Sequence, residues 1–101
     1  MKELATMFDP PHPGEFISEV YLAPSGLSAR ALAGKLGVTP STLQRLLGGL
    51  HGVSPEMALR LSVVLGRSAE SWLSMQHTYD LWQARKSLDL ERLEPLAISH
   101  T

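Results

Sequence analysis

Two short apolar-periodic stretches pinched about one glycine, SARALAGKLGVTPSTLQRLL over residues 28–47, constrain this chain more than any other feature. Ala33 stands four residues before Gly37, and Leu43 six after it. Two helices that cross steeply need a small residue at the crossing and a turn that admits φ > 0, which Ala33 and Gly37 supply. Leu32, Leu36, Val38, Leu43, Leu46 and Leu47 then give the pair an apolar side to bury. Two architectures fit this pattern. One is a DNA-reading helix-turn-helix, and the other is an ordinary αα-hairpin in a bundle, which also favours a turn glycine and spaced leucines.

The rest of the chain extends the helical reading. Residues 9–14, DPPHPG, hold three prolines that remove donors and push their predecessors into extended backbone, so a first helix is expected only after them, over 15–22. Phe16 and Val20 lie one turn apart on it, and it should end before Ala23 and Pro24. Ser28 is placed to cap a second helix, Thr39 with Pro40 a third, and Ser54 with Pro55 a fourth over 55–65. Gly66 sits where a left-handed C-cap is expected, and Ser68 caps a fifth helix over 69–88.

That last helix carries two apolar stripes. Trp72, Met75, Tyr79 and Trp82 line one side, and Leu73, His77, Leu81, Ala84 and Leu88 another. A domain of 101 residues covers one stripe with its own core, and a second stripe bearing aromatics needs another surface. A homodimer through Trp72, Met75, Tyr79 and Trp82 is therefore expected, the alternative being that both stripes wrap into the monomer's own core. The sequence implies a single domain over 1–101, with a core over 14–66, paired helices at 28–36 and 39–48, a dimerisation helix at 68–88, and extended or frayed ends at 1–13 and 89–101.

Charge matters here by position rather than by sum. The formal net charge is only −1. Residues 28–67, however, hold Arg30, Lys35, Arg45, Arg60 and Arg67 against the single acid Glu56, whereas both flanks are net acidic. A positive centre is what phosphate attraction requires. There are no cysteines, which excludes disulfides and thiolate metal sites. No apolar run approaches the roughly 20 residues that span a bilayer, and the first sixteen residues lack the apolar core of a secretion signal. A cytoplasmic, non-membrane protein is the expectation.

Several motifs together carry a family resemblance: HPGE at 12–15, LSARALA at 27–33, LGVT at 36–39, GVSPEMALRL at 52–61, then Trp72-Leu73 and YDLW at 79–82. With them, the chain resembles the HigA-family antitoxins of the Cro/cI (XRE) helix-turn-helix class over nearly its whole length. The resemblance implies an all-α, compact, five-helix lambda-repressor-like DNA-binding domain with a long C-terminal helix for dimerisation. It also implies pairing with a HigB-like mRNA-cleaving toxin, which the protein would neutralise, and repression of the shared operon by a dimer on double-stranded operator DNA.

In such a motif the helix after the turn enters the major groove with its N-terminal side chains toward the base edges. Ser41, Thr42, Gln44 and Arg45 are the candidate base readers: Arg45 can donate twice to guanine, Gln44 can pair bidentately with adenine, and the hydroxyls serve bases or phosphates. Ser28, Arg30, Lys35, Thr39 and His51 are candidate contacts to the DNA backbone. Pro40, Ser41 and Gly48-Gly49 depart from the family pattern, which leaves fewer base-reading groups. A dimer should meet half-sites about 34 Å apart, or a multiple of that.

Nothing in the sequence assembles a catalytic site or calls for a cofactor. His12, His51, His77 and His100 form no i, i+4 pair on one helix, and no nucleophile stands at a strained turn. The alternatives left open are a stand-alone repressor without a toxin and an interaction module that has lost DNA binding. Toxin docking is expected on the acidic N-terminal stretch and first helix, at Asp9, Glu15 and Glu19.

Overall fold

The computed structural model describes residues 9–97, and among them the chain forms five helices and no strand. The first, α1, is continuous but irregular: α-helical over Pro13–Ile17, π-helical over Ser18–Leu22 and α-helical again over Ala23–Ser25. Then follow α2 (Ala29–Leu36), α3 (Pro40–Leu47), α4 (Pro55–Val64) and α5 (Ala69–Ser87).

Both ends of α1 correct the sequence expectation. The helix starts inside the proline run, because Pro13 occupies the first helical position, where a missing N–H costs nothing. His12 caps it, its Nδ1 accepting the Gly14 N–H at 2.9 Å. Nor does Pro24 end the helix. Proline cannot donate to the carbonyl four residues back and its ring crowds that carbonyl, so the turn before it widens, and the Ala23 N–H bonds Ser18 O five residues earlier. Ser25 Oγ donates to Tyr21 O at 2.6 Å, and the helix closes at Gly26.

The four later helices start on hydroxyl caps. Ser28, Thr39, Ser54 and Ser68 accept the N–H of Ala31, Thr42, Met57 and Ser71 at 3.0–3.2 Å. Between α2 and α3 the chain turns on Gly37 at φ 74°, with Val38 N–H bonded to Ala33 O and Gly37 N–H to Gly34 O. That is a Schellman closure, and it needs a residue without a Cβ penalty at Gly37.

The helices pack with α4 along α5, α2 against α3 and α4, and α1 across α3 and α5. Ile17, Leu32, Ala33, Leu36, Leu43, Leu46, Val53, Met57, Ala58, Leu61 and Trp72 make the core. The α1–α3 crossing is a backbone contact: a methyl group at Gly14 would strike the Leu46 carbonyl and stand 2.8 Å from Leu47 Cα. Glycine in HPGE is thus what lets α1 seat on α3.

Trp72 is a correction to the expected dimer surface. It is fully buried, at 0% exposure, with its indole N–H donating to Gly66 O at 2.9 Å and its ring 6.0 Å from Phe16 and 6.1 Å from Tyr21. The N-terminal part of that stripe therefore faces the monomer's own core, whereas Tyr79 and Trp82 are only half-buried. Met75 packs partly against that core, and Tyr79 lies edge-on to His12 at 4.9 Å. Of the other stripe, Leu73 packs partly against the core, whereas Leu81 is 52% and Leu88 59% exposed, so its C-terminal part faces outward. Among the described residues, no helix is long and apolar enough to cross a membrane.

Candidate nucleic-acid interface

Helix α3 divides cleanly into two faces. Leu43 and Leu46 are buried, whereas Ser41, Gln44 and Arg45 are exposed, and Arg45 lies one turn beyond Ser41. Spacings of three and four residues place these polar groups on one side. At the N-terminus of α3 the hydroxyls form a small network. Thr39 Oγ1 accepts the Thr42 N–H and donates to Thr42 Oγ1 at 2.9 Å, with Ser41 Oγ 3.5 Å away. Thr39 is therefore engaged in its cap, and Thr42, half-buried, keeps one hydroxyl proton to donate outward.

The five bases of the central segment separate into two groups, a division the sequence did not reveal. Arg60, on α4, bonds Glu56 at 2.9 Å and donates through Nη1 to Leu36 O at 2.8 Å. Its guanidinium thus closes the C-terminus of α2, where unpaired carbonyls favour a cation, and braces the turn at Gly37. Arg67 donates to Ser71 Oγ at 3.0 Å and lies 5.3 Å from the Phe16 ring centre and 5.8 Å from that of Trp72, a cation–π seat over the core aromatics. Arg30, Lys35 and Arg45 are exposed on α2 and α3, and among the described residues none of them pairs with a carboxylate. Ser28 sits exposed at the start of α2, its oxygen engaged with the Ala31 N–H.

Two further side chains hold this surface in place. His51, in the loop after α3, brings Nε2 to 3.2 Å from Thr42 O. Gln76, buried on α5, accepts the Val53 N–H through Oε1 at 2.8 Å and donates to Asp80 at 2.9 Å. A methyl group at Gly52 would meet the Gln76 amide, so this loop approaches α5 closely. Gln76 was not among the candidate residues. Its only signal in the sequence is a polar group one turn past Trp72 on a core-facing register.

A basic, exposed helix face behind a braced turn is the geometry of a DNA reader, and comparison with known proteins agrees. Residues 22–72 match the family described as a helix-turn-helix domain. The chain is 41% identical over 90 residues to the HTH-type transcriptional regulator YddM of Escherichia coli, spanning 89% of this chain and 95% of that one. It is 35% identical to antitoxin HigA-1 of Vibrio cholerae over 85% of this chain and 83% of that protein. The chain belongs to the HigA family of helix-turn-helix antitoxins. A solved structure of antitoxin GraA in complex with its operator superposes with a TM-score of 0.80 at 38% identity, covering 90% of this chain and 95% of that one. HigA-family proteins are DNA-binding regulators rather than enzymes.

Proposed function

We propose that the protein is the antitoxin of a type II toxin–antitoxin pair: it represses its own operon by binding promoter DNA as a homodimer, and it neutralises a HigB-like mRNA-cleaving toxin. The observation that carries the DNA half is the exposed face of α3, with Ser41, Gln44 and Arg45 side by side and no acid against Arg30, Lys35 or Arg45 among the described residues. In this reading α3 lies in the major groove. Arg45 and Gln44 contact base edges, Ser41 and Thr42 contact bases or phosphates, and Arg30, Lys35 and the N-terminus of α2 at Ser28 face the backbone.

The test is fluorescence anisotropy on DNA from the protein's own promoter, with scrambled competitor, at several salt concentrations. Arg45→Ala should cost about 1–3 kcal/mol, roughly 5- to 150-fold in affinity, for the promoter alone. Lys35→Ala should weaken promoter and scrambled DNA alike and lower the salt slope by about 1. Weak binding that ignores sequence and collapses with salt would reduce the interface to phosphate attraction and sink the repressor reading.

The toxin half rests on family membership and on a strip of α1. Glu15 and Glu19 are exposed one turn apart, with Val20 beside them, an acidic and partly apolar edge suited to steering a basic RNA-cleaving partner. Pro10 and His12 are buried, so trimming residues 1–12 would damage the fold, and charge reversal at Glu15 and Glu19 is the cleaner probe. Weakened toxin capture with intact promoter binding supports the docking site, and unchanged capture rejects it. Absence of any toxin gene beside this one would favour the stand-alone repressor, the reading in line with the naming of the relative YddM as an HTH-type transcriptional regulator.

A further inference from the structure

The loop that ends α3 folds back onto it. Gly49 takes φ 75°, Leu50 N–H bonds Arg45 O at 2.9 Å and Gly49 N–H bonds Leu46 O at 3.1 Å, a Schellman closure that reverses the chain. The next residue, His51, then lies along the flank of the helix it has just left, with Nε2 3.2 Å from Thr42 O, nine residues earlier. A main-chain carbonyl has two lone pairs, so this oxygen can serve the helical ladder and the imidazole together, with Nε2–H as donor. Thr42 is also the residue whose N–H and hydroxyl are held by Thr39 at 3.2 and 2.9 Å. The first turn of α3 is thus fastened from the chain before it and from the chain after it.

An eight-residue helix is marginal alone, and α3 buries only Leu43 and Leu46 fully. Those two leucines, partly buried Leu47 and the close Gly14 contact set the inner face, and the polar contacts at Thr42 add a hold on the outer edge. We propose that His51 is a positioning residue for DNA reading: it holds the α3 edge that carries Arg45 at the correct roll and does not itself contact a phosphate. This replaces the expectation that His51 is a backbone anchor, and it rests on the reading of α3 as the recognition helix. Bidentate recognition of a base edge tolerates little angular error, so a loosened α3 should lose discrimination before it loses charge attraction.

The full-length protein, His51→Ala and His51→Gln are titrated with promoter and scrambled duplexes across a salt series, alongside thermal unfolding. His51→Ala should bind the promoter about 5- to 10-fold more weakly and the scrambled duplex nearly as before, with the salt slope and unfolding midpoint retained. His51→Gln, whose amide can donate to the same carbonyl, should recover most of the loss. A salt slope lower by about 1, with both duplexes weakened, would make His51 a phosphate contact and overturn the proposal. Equal weakening of both with a lowered midpoint would reduce it to fold support, and no change at all would make the bond idle. If the unmodified protein fails to distinguish the two duplexes, the repressor reading falls instead. His51 is then judged by amide exchange in the free protein: faster exchange of the α3 amides in His51→Ala upholds its hold on the helix, and unchanged exchange overturns it.

Discussion

His12 shows how much one side chain can join. Its Nδ1 caps α1, its ring meets Tyr79 of α5 edge-on, and Gly49 of the α3–α4 loop packs beside it. Burial pushes its pKa below the usual histidine value, and His51 acts in the same direction, against the opposing pull of Asp80 and Glu15. The cap adds its own reason, since Nδ1 must stay unprotonated to accept the Gly14 N–H. The folded state therefore binds this proton less well than the unfolded chain. The stabilisation is fully present above the unfolded value of about 6.5 and is lost as pH falls through the lower folded value. Urea titrations between pH 5 and 7.5 should show stability falling on the acid side. His12→Asn, which keeps a capping acceptor without a titrating proton, should flatten that fall. An equal slope in the variant would place the acid sensitivity elsewhere.

Helix α1 is where local rules and packing disagree most. Pro13 begins it from the first helical position, and Pro24 is absorbed within it by a π turn rather than ending it as its local chemistry implies. Its seat on α3 depends on the missing side chain of Gly14, where a methyl would meet rigid backbone. Gly14→Ala should therefore lower stability by about 1–3 kcal/mol, the cost of overpacking. Gly34 is the matched control. It lies mid-helix in α2 with nothing within 4 Å of an added Cβ, so Gly34→Ala should stabilise by about 0.4–1 kcal/mol through unfolded-chain entropy and helix propensity. Chemical denaturation of both variants checks the pair, and two changes of the same sign would refute the backbone-contact account.

For the assembled molecule, the outward stripe of α5 decides what a second copy would meet. Leu81, Ala84 and Leu88 are exposed along it, and Trp82 is half-buried beside them with Lys86 Nζ 4.1 Å from its ring centre. A two-fold pairing through this stripe would cover apolar surface that the monomer leaves in water and carry one α3 helix per copy. Leu81→Asp should shift the protein to monomer in sedimentation and weaken promoter binding at least tenfold, with monomer secondary structure intact. A variant that remains dimeric would move the interface off this stripe.

The sequence by itself determined the local features: five helices, the hydroxyl caps at Ser28, Thr39, Ser54 and Ser68, and the small-residue crossing at Ala33 and Gly37. Each is set by interactions within a turn or two, so adjacent letters suffice to specify it. Only the tertiary structure decided which part of α5 turns inward, because both stripes are apolar along their length and transfer energy alone does not rank them. The same holds for the bases. Arg60 and Arg67 look as free in the sequence as Arg45 does, yet one braces the α2 carbonyls 24 residues away and the other lies over Phe16. Gln76 reaching Val53 and His51 folding back to Thr42 belong to the same class. Their partners are brought near by helix packing, and a hydrogen bond between distant residues leaves no period in the chain that could announce it.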